Sequence, residues 1–356
     1  MEKKICSFLI MLLILAAMPL YFGTGALSVY AAGNVKNDTL RVAQYNILGN
    51  VIMDRNYVWN DIKDHDPDLI ALNEVDVRCF DDVVGMLGKK GYDYYGNSDW
   101  SPDSNEYIIS KAGWYNLTIF KKDKFELLDS GMFTLSDTPD VDYSFISYMD
   151  LTTKQRKEGR PRTCSWVYLK NKETGGKLIF SSVHVQHAKT SEHDYNSIGL
   201  TVLGEQLSIL ADDYNCEVIC AGDVNSSDPV EVYDFGFSSL NKGQNSHAHA
   251  GSIDTVLITD GIIGESFSVG KRTSSDHCPT FSVLKVPVTK SLTDSEIMWI
   301  VIIIAAVVVV ATVITVIVIL TKRKKERNKK AAEERLAEMR AKLAEYEKEK
   351  INEKSI

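Results

Sequence analysis

Val218-Ile219-Cys220-Ala221-Gly222-Asp223-Val224-Asn225 runs from residues that suit the inside of a β-sheet straight into an acid and an amide. A short apolar run closed by turn formers fits a buried strand, and a glycine inside one marks a close approach of another backbone. The same grammar recurs on both sides of this stretch. Asn46 follows Arg41-Val42-Ala43-Gln44-Tyr45, Glu74 follows Leu69-Ile70-Ala71-Leu72-Asn73, and His184 follows Phe180-Ser181-Ser182-Val183. Asp254 precedes Thr255-Val256-Leu257-Ile258, and Ser275-Asp276-His277 precedes Pro279 and a further apolar run. One Asp or Asn after a strand is usually a turn former. Six such motifs in order predict polar side chains gathered where strands end.

Working outward, strand-length apolar runs alternate with amphipathic segments. Residues 40–45 and 69–73 read as strands, and 57–65 and 77–87 as helices, the second stopped by Gly88 and Gly91. Residues 114–120 and 125–135 read as paired strands, and 162–169 and 177–185 bracket the hairpin signal Thr174-Gly175-Gly176. Residues 196–212 form the longest helical pattern, and 217–221, 255–258 and 280–284 supply further strands. No fixed period repeats. Together these imply an α/β (α+β) domain over residues 32–287, a four-layer sandwich of two packed mixed β-sheets with outer helices. The polar stretches 96–111 and 136–161 are long for loops and are expected to shape a substrate rim.

The ends read differently. Lys3 and Lys4, the apolar run 8–20 and small residues up to Ala31 make residues 1–31 a secretory signal. Residues 297–320 are 24 in a row without a charge, about 36 Å of helix and enough to cross a bilayer. Basic residues Lys322, Arg323, Lys324, Lys325 and Arg327 follow this span, while Asp294 and Glu296 precede it. The basic flank stays cytoplasmic, which places the large domain outside. Residues 288–296 then form a short stalk and 321–356 a basic cytoplasmic tail, read as a solvated helix. Residues 32–296 hold 25 Lys and Arg against 39 Asp and Glu, an acidic balance that disfavours duplex nucleic acid. Five cysteines spread over the large domain do not make a disulfide framework. Asn225 fits a glycosylation sequon inside the best motif, where a glycan would block the site, so a bacterial surface is favoured.

On these motifs the chain resembles the endonuclease/exonuclease/phosphatase superfamily, with its deoxyribonuclease I-like fold, over roughly residues 37–287. Residues 42–46 and 70–75 resemble its Asn and Glu motifs, with Asn73 where Gln is usual. Val183-His184-Val185 resembles Asn-Thr-His-Leu without the Asn, and Ser252-Ile253-Asp254 resembles Arg-Ile-Asp with Ser for Arg. Gly222-Asp223-Val224-Asn225 and Ser275-Asp276-His277-Cys278-Pro279 match the Gly-Asp-x-Asn and Ser-Asp-His-x-Pro motifs in full. Residues 125–139, with Arg162 and Trp166, are similar to a phosphatase-like branch. The resemblance implies a Mg²⁺ (or Mn²⁺) ion held by Glu74, with Asn46 and Asp276 as direct or water-mediated ligands. It implies that Asp254 orients His277, the general base or electrostatic partner for attacking water, and leaves Asp223 open as the alternative base. Asn225 would orient the water or a phosphoryl oxygen, and His184 would donate to the phosphoryl group or protonate the leaving group.

Substrate contacts are assigned to Asn116, Arg162, His187 and His249, with His193 lining the mouth beside His187 and with His247, like His249, placed to bind phosphate or to sit on the surface; Trp114 and Trp166 read as core. Three functions follow. The first is an extracellular, membrane-anchored phosphoesterase acting on a small molecule, lipid headgroup or cell-surface phosphate. The second is a surface-tethered nuclease, which the charge disfavours. The third is a non-catalytic binding module, against which the complete set of motif residues argues.

Overall fold

In the computed structural model, residues 36–49, 56–99, 113–150, 155–158, 161–187, 195–288 and 294–353 are described. Strands β1 (Asn37–Asn46) and β2 (Leu69–Asp76) run parallel at the centre of one sheet, and every residue of β2 is buried. An unbroken apolar run demands cover on both faces. β3 (Tyr92–Tyr95), β4 (Trp114–Lys121), β13 (Ile263–Val269) and β14 (Thr280–Pro287) complete this sheet in the order β13-β14-β1-β2-β4-β3. The second sheet comprises β5 (Phe125–Thr134), β8 (Thr163–Asn171), β9 (Lys177–His184), β10 (Glu217–Asp223), β11 (Phe237–Ser239) and β12 (Asp254–Thr259). Its order is β11-β12-β10-β9-β8-β5, and β9 and β10 are its parallel pair.

Three apolar clusters hold four layers together. Leu40, Val42, Leu69 and Ala71 meet Val167, Phe180, Ile219 and Val256 between the sheets. Tyr57, Val58 and Ile62 of α1 (Asn56–Ile62) and Val83 and Leu87 of α2 (Phe80–Lys89) cover the outer face of the first sheet. Leu200, Leu203 and Leu207 of α3 (Tyr195–Tyr214) cover the second. The two mixed six-stranded sheets with outer helices are therefore the sandwich that the strand and helix pattern predicts.

Two local expectations are corrected. Residues 114–120 and 125–135 do not pair: β4 lies between β2 and β3, whereas β5 pairs with β8 in the other sheet. Phe120 and Phe125 both bury in the inter-sheet cluster, so the short connection crosses between layers instead of turning a hairpin. The polar stretch 136–161 is not all loop, because it contains the antiparallel pair β6 (Ser147–Asp150) and β7 (Gln155–Glu158).

The helix α4 (Asp294–Glu353) forms a unit separate from the sandwich and runs unbroken from the apolar span into the basic tail. Among the described residues it is the one helix long and apolar enough to cross a membrane. The signal assigned to residues 1–31, most of the 96–111 stretch, part of the stalk and His193 lie outside the described residues.

Candidate active site

Strand direction brings the six motifs to one edge. In the parallel pairs, Asn46 lies opposite Asn73 and His184 opposite Asp223. β12 and β14 run antiparallel to these, so their starts lie at the same edge: Asp254 pairs with Asp223, and residues 275–277 sit just before Thr280. Glu74 occupies an irregularity in the β2–β4 ladder and adopts φ 55, a left-handed conformation that re-aims a side chain at the cost of strain. Gly49 N–H donates to the Glu74 carbonyl at 3.0 Å. A Cβ at Gly49 would lie 2.5 Å from that oxygen, so only glycine fits. At Gly222 a Cβ would collide with the Val183 carbonyl of the neighbouring strand.

The two histidines are held differently. His277 Nδ1 donates to Asp254 Oδ2 at 2.7 Å, leaving Nε2 to face Asp223 Oδ2 at 3.5 Å. The other oxygen of Asp254 accepts from Gln44 Nε2 at 2.8 Å, and Gln44 Oε1 accepts from Thr280 Oγ1 at 3.0 Å. His184 Nδ1 lies 2.9 Å from Arg162 Nη1. Arginine only donates, so Nδ1 accepts and the proton of the neutral ring sits on Nε2. That Nε2 faces Asp223 Oδ2 at 3.5 Å and Glu74 Oε1 at 3.9 Å. Of the two roles open to His184, this geometry favours hydrogen-bond donation over proton transfer, since a neutral imidazole is no acid.

Asp223 sits between these rings and also accepts from Asn46 Nδ2 at 3.1 Å. Its Oδ1 accepts from the Asn225 N–H at 3.0 Å, while the Asn225 side chain donates to the Val185 carbonyl at 2.9 Å with φ at 50. Burial, then the charge of Asp254, pushes the Asp223 pKa up. Burial pulls His277 down, but Asp254, by charge and hydrogen bond, and the charges of Asp223 and Asp276 outweigh it, raising the ring to about 10. Burial raises Glu74 as well, against the Asn46 hydrogen bond and the charges of Arg162 and His277.

The donor set fits a divalent cation. Glu74 Oε2 is buried and has no hydrogen-bond partner among the described residues. A buried carboxylate oxygen without a donor calls for an explanation, and a hard cation supplies one. Ligand atoms of Asp223, Asp254 and His277 lie within 4.8 Å of one another, as do those of His247, Asp276 and His277. Buried acidic and histidine groups able to bind a metal are thus present, without a preference for Mg²⁺ in the geometry.

The residues assigned to substrate contact disperse. Arg162, 6% exposed, bonds His184 and Gln186 and lies over the Trp114 ring. Trp114 is half-buried and stacks on His184, so it lines the site and is not core. Asn116 is buried, accepting from Asn73 and donating to Thr163 across the sheets, which makes its amide a brace. His187 is half-buried just past β9, and His249 is exposed on the turn before Asp254. The sequence assigns no role to Gln44 or Asn73, although Gln44 lies two residues before Asn46 on one strand and Asn73 directly precedes Glu74 on the next. The sequence offers His247 and His249 alike for phosphate, and the structure turns only His247 toward the site, leaving His249 exposed.

Solved structures share this fold. An endonuclease/exonuclease/phosphatase from Bacteroides vulgatus superposes with a TM-score of 0.56 at 20% identity, over 70% of this chain and 99% of its own. A family protein from Bacteroides thetaiotaomicron gives 0.55 at 21% identity, covering 71% and 100%. A mannosyl-6-phosphatase from the same organism gives 0.54 at 22%, covering 69% and 99%. At these identities the likeness is one of fold. No protein-family model matches the chain, and no curated protein matches its sequence.

Proposed function

We propose that the chain is a divalent-metal-dependent phosphoesterase, anchored in a bacterial membrane by α4 with its sandwich domain outside, that hydrolyses phosphate mono- or diesters by in-line attack of water. The observation that carries this reading is the unsatisfied Glu74 oxygen near an Asp223 that two histidines face. Glu74, Asn46 and Asp276 would hold Mg²⁺ or Mn²⁺, which when bound neutralises phosphate charge and polarises the ester. His277, oriented by Asp254 and holding its proton near neutral pH, is the electrostatic partner of the attacking water and its base only once deprotonated, with Asp223 as the alternative base. Asn225 orients that water or a phosphoryl oxygen, and His184 donates its Nε2–H to the phosphoryl group. Arg162 supports His184 and supplies positive charge at the mouth, where His187 and His249 make outer contacts. No covalent nucleophile is required.

The shared fold includes a mannosyl-6-phosphatase, which supports a phosphate-ester substrate. The acidic balance of residues 32–296 favours a small soluble ester, lipid headgroup or cell-surface phosphate over nucleic acid. The test is side-by-side turnover by the full chain in detergent micelles, per phosphate, of monoesters, diesters and duplex DNA at equal Mn²⁺ and about 0.1 M salt. Turnover of a small ester that ceases in chelator is expected. Rapid loss of plasmid without turnover of any small ester would make the nuclease reading correct. Protease added to intact cells should remove the sandwich domain and spare the basic tail; the reverse would invert the orientation.

A further inference from the structure

His247 has no part in the mechanism above, yet the fold places it against the site. The turn of residues 246–251 is clamped to the residues around His277: Ala248 N–H donates to the Asp276 carbonyl at 2.9 Å and Cys278 N–H to the Ser246 carbonyl at 2.6 Å. The His247 ring stands edge-on to His277, with centroids 4.5 Å apart at 70°. Its Nδ1 accepts two backbone N–H groups, from His249 at 3.0 Å and Ala250 at 2.8 Å. Backbone amides cannot accept, so Nδ1 must present a lone pair, and the proton of the neutral ring lies on Nε2. That Nε2 faces Asp276 Oδ2 at 3.4 Å, a long hydrogen bond easily exchanged for a better acceptor. The ring is half-buried, within reach of a ligand.

We propose that His247 is a fixed, neutral hydrogen-bond donor for a phosphoryl oxygen at the Asp276 edge of the site, and not a metal ligand. A protonated Nε2 has no lone pair for a cation, even though the His247–Asp276–His277 cluster has ligand-like spacing. With Asp276 engaged as a metal ligand, the N–H is released toward an oxygen of the substrate. A preset donor of this kind acts where charge develops and needs no proton transfer. Its charged and titratable neighbours are Asp276 and His277, with Asp254 behind them and the His249 ring edge-on at 6.2 Å.

This inference deepens the phosphoesterase reading, and its test separates the two. His247→Asn keeps an acceptor near the Nδ1 position, so the turn stays capped, but removes the distal donor; His247→Gln restores an N–H near the Nε2 position. The full chain in micelles is titrated by calorimetry, first with Mn²⁺ and then, when loaded, with inorganic phosphate. His247→Asn should leave Mn²⁺ affinity within about threefold, weaken phosphate roughly tenfold or more, and be partly rescued by His247→Gln. Nitrogen NMR of histidine-labelled chain should show the resonances lost in His247→Asn as an Nε2–H tautomer. On any ester that turns over, kcat should fall by roughly 10- to 100-fold with the shape of the pH profile unchanged. Loss of Mn²⁺ binding, an Nδ1–H tautomer, or unchanged phosphate affinity would each overturn the proposal. Phosphate binding with the expected pattern but no ester turnover would instead count against the phosphoesterase reading alone.

Discussion

The space between the two sheets has two halves, drawn from the same strand faces. Alternate inward residues run Leu40-Val42-Gln44-Asn46 on β1, Leu178-Phe180-Ser182-His184 on β9 and Ile219-Ala221-Asp223 on β10. The first members join the apolar inter-sheet cluster. The later ones are buried too, but they are tied by directed bonds across the gap. Asn73 donates to Ser182 Oγ and to the Val183 carbonyl at 2.9 Å and accepts from the Asp223 N–H, while Gln44 reaches Asp254. An apolar layer is non-directional and tolerates repacking. A satisfied polar network admits one arrangement. The apolar half therefore determines that the sheets pack, and the polar half determines their alignment at the edge where the site lies.

Substitutions should separate the halves. The largest effect is expected at the polar edge: Glu74→Gln should abolish metal-dependent turnover, and His277→Ala should cost on the order of 10²–10⁴ in rate, with folding retained by circular dichroism. Full activity of either variant, or of the wild type in chelator, would refute the mechanism. Next comes the apolar half, where Phe180→Ala should cost about 3–5 kcal/mol in denaturant unfolding, with metal affinity retained in the folded fraction. Asn73→Leu lies between the two. Removing its bonds should cost about 1–3 kcal/mol by leaving buried partners unsatisfied, and should also lower kcat, because the Asp223 backbone loses its tie to the first sheet. A stability loss with unchanged kcat would show that the network only holds the sheets together.

The apolar half was the more legible in sequence. Unbroken apolar runs such as Leu69–Leu72 and Val218–Ala221 announce strands, and six polar motifs at the ends of such runs announce the site's edge. What sequence could not convey was cross-sheet pairing. Gln44 and Asn73 look like ordinary strand polars until Asp254, 210 residues from Gln44, arrives opposite. Asn116 drew a substrate role because a buried amide brace and an exposed contact are written with the same letter. His247 and His249 are equivalent in sequence for a similar reason: a His-x-His turn does not reveal which ring points inward until backbone amides are seen capping one of them. Residues 114–120 and 125–135 do not pair because a short connection between apolar strands can cross layers as well as turn a hairpin, and residues 122–124 cross.

The smallest expected effect tests whether the polar half is stabilised by its charges or in spite of them. His277 is raised from 6.5 to about 10 in the folded chain. A raised folded pKa means that the native state holds a proton the unfolded chain has released. The stabilisation is full below about pH 6.5 and is lost as pH rises toward 10. Asp223 and Glu74 are raised as well, so their ionisation adds a penalty of the same sign as pH climbs. No group in this cluster with a resolved shift opposes that direction except His247, which is lowered by burial. In chelator, stability should therefore fall between pH 7.5 and 8.5 by at most about 1.4 kcal/mol, the limit for one proton per pH unit, read as a drop in the unfolding midpoint. The slope should shrink in His277→Ala, and also in wild type with saturating Mn²⁺, because a cation at Glu74 removes the penalty on the carboxylates. A midpoint that is flat or rises with pH in chelator would mean that the Asp254–His277 pair holds no extra proton, and that the polar half is organised by hydrogen bonds alone.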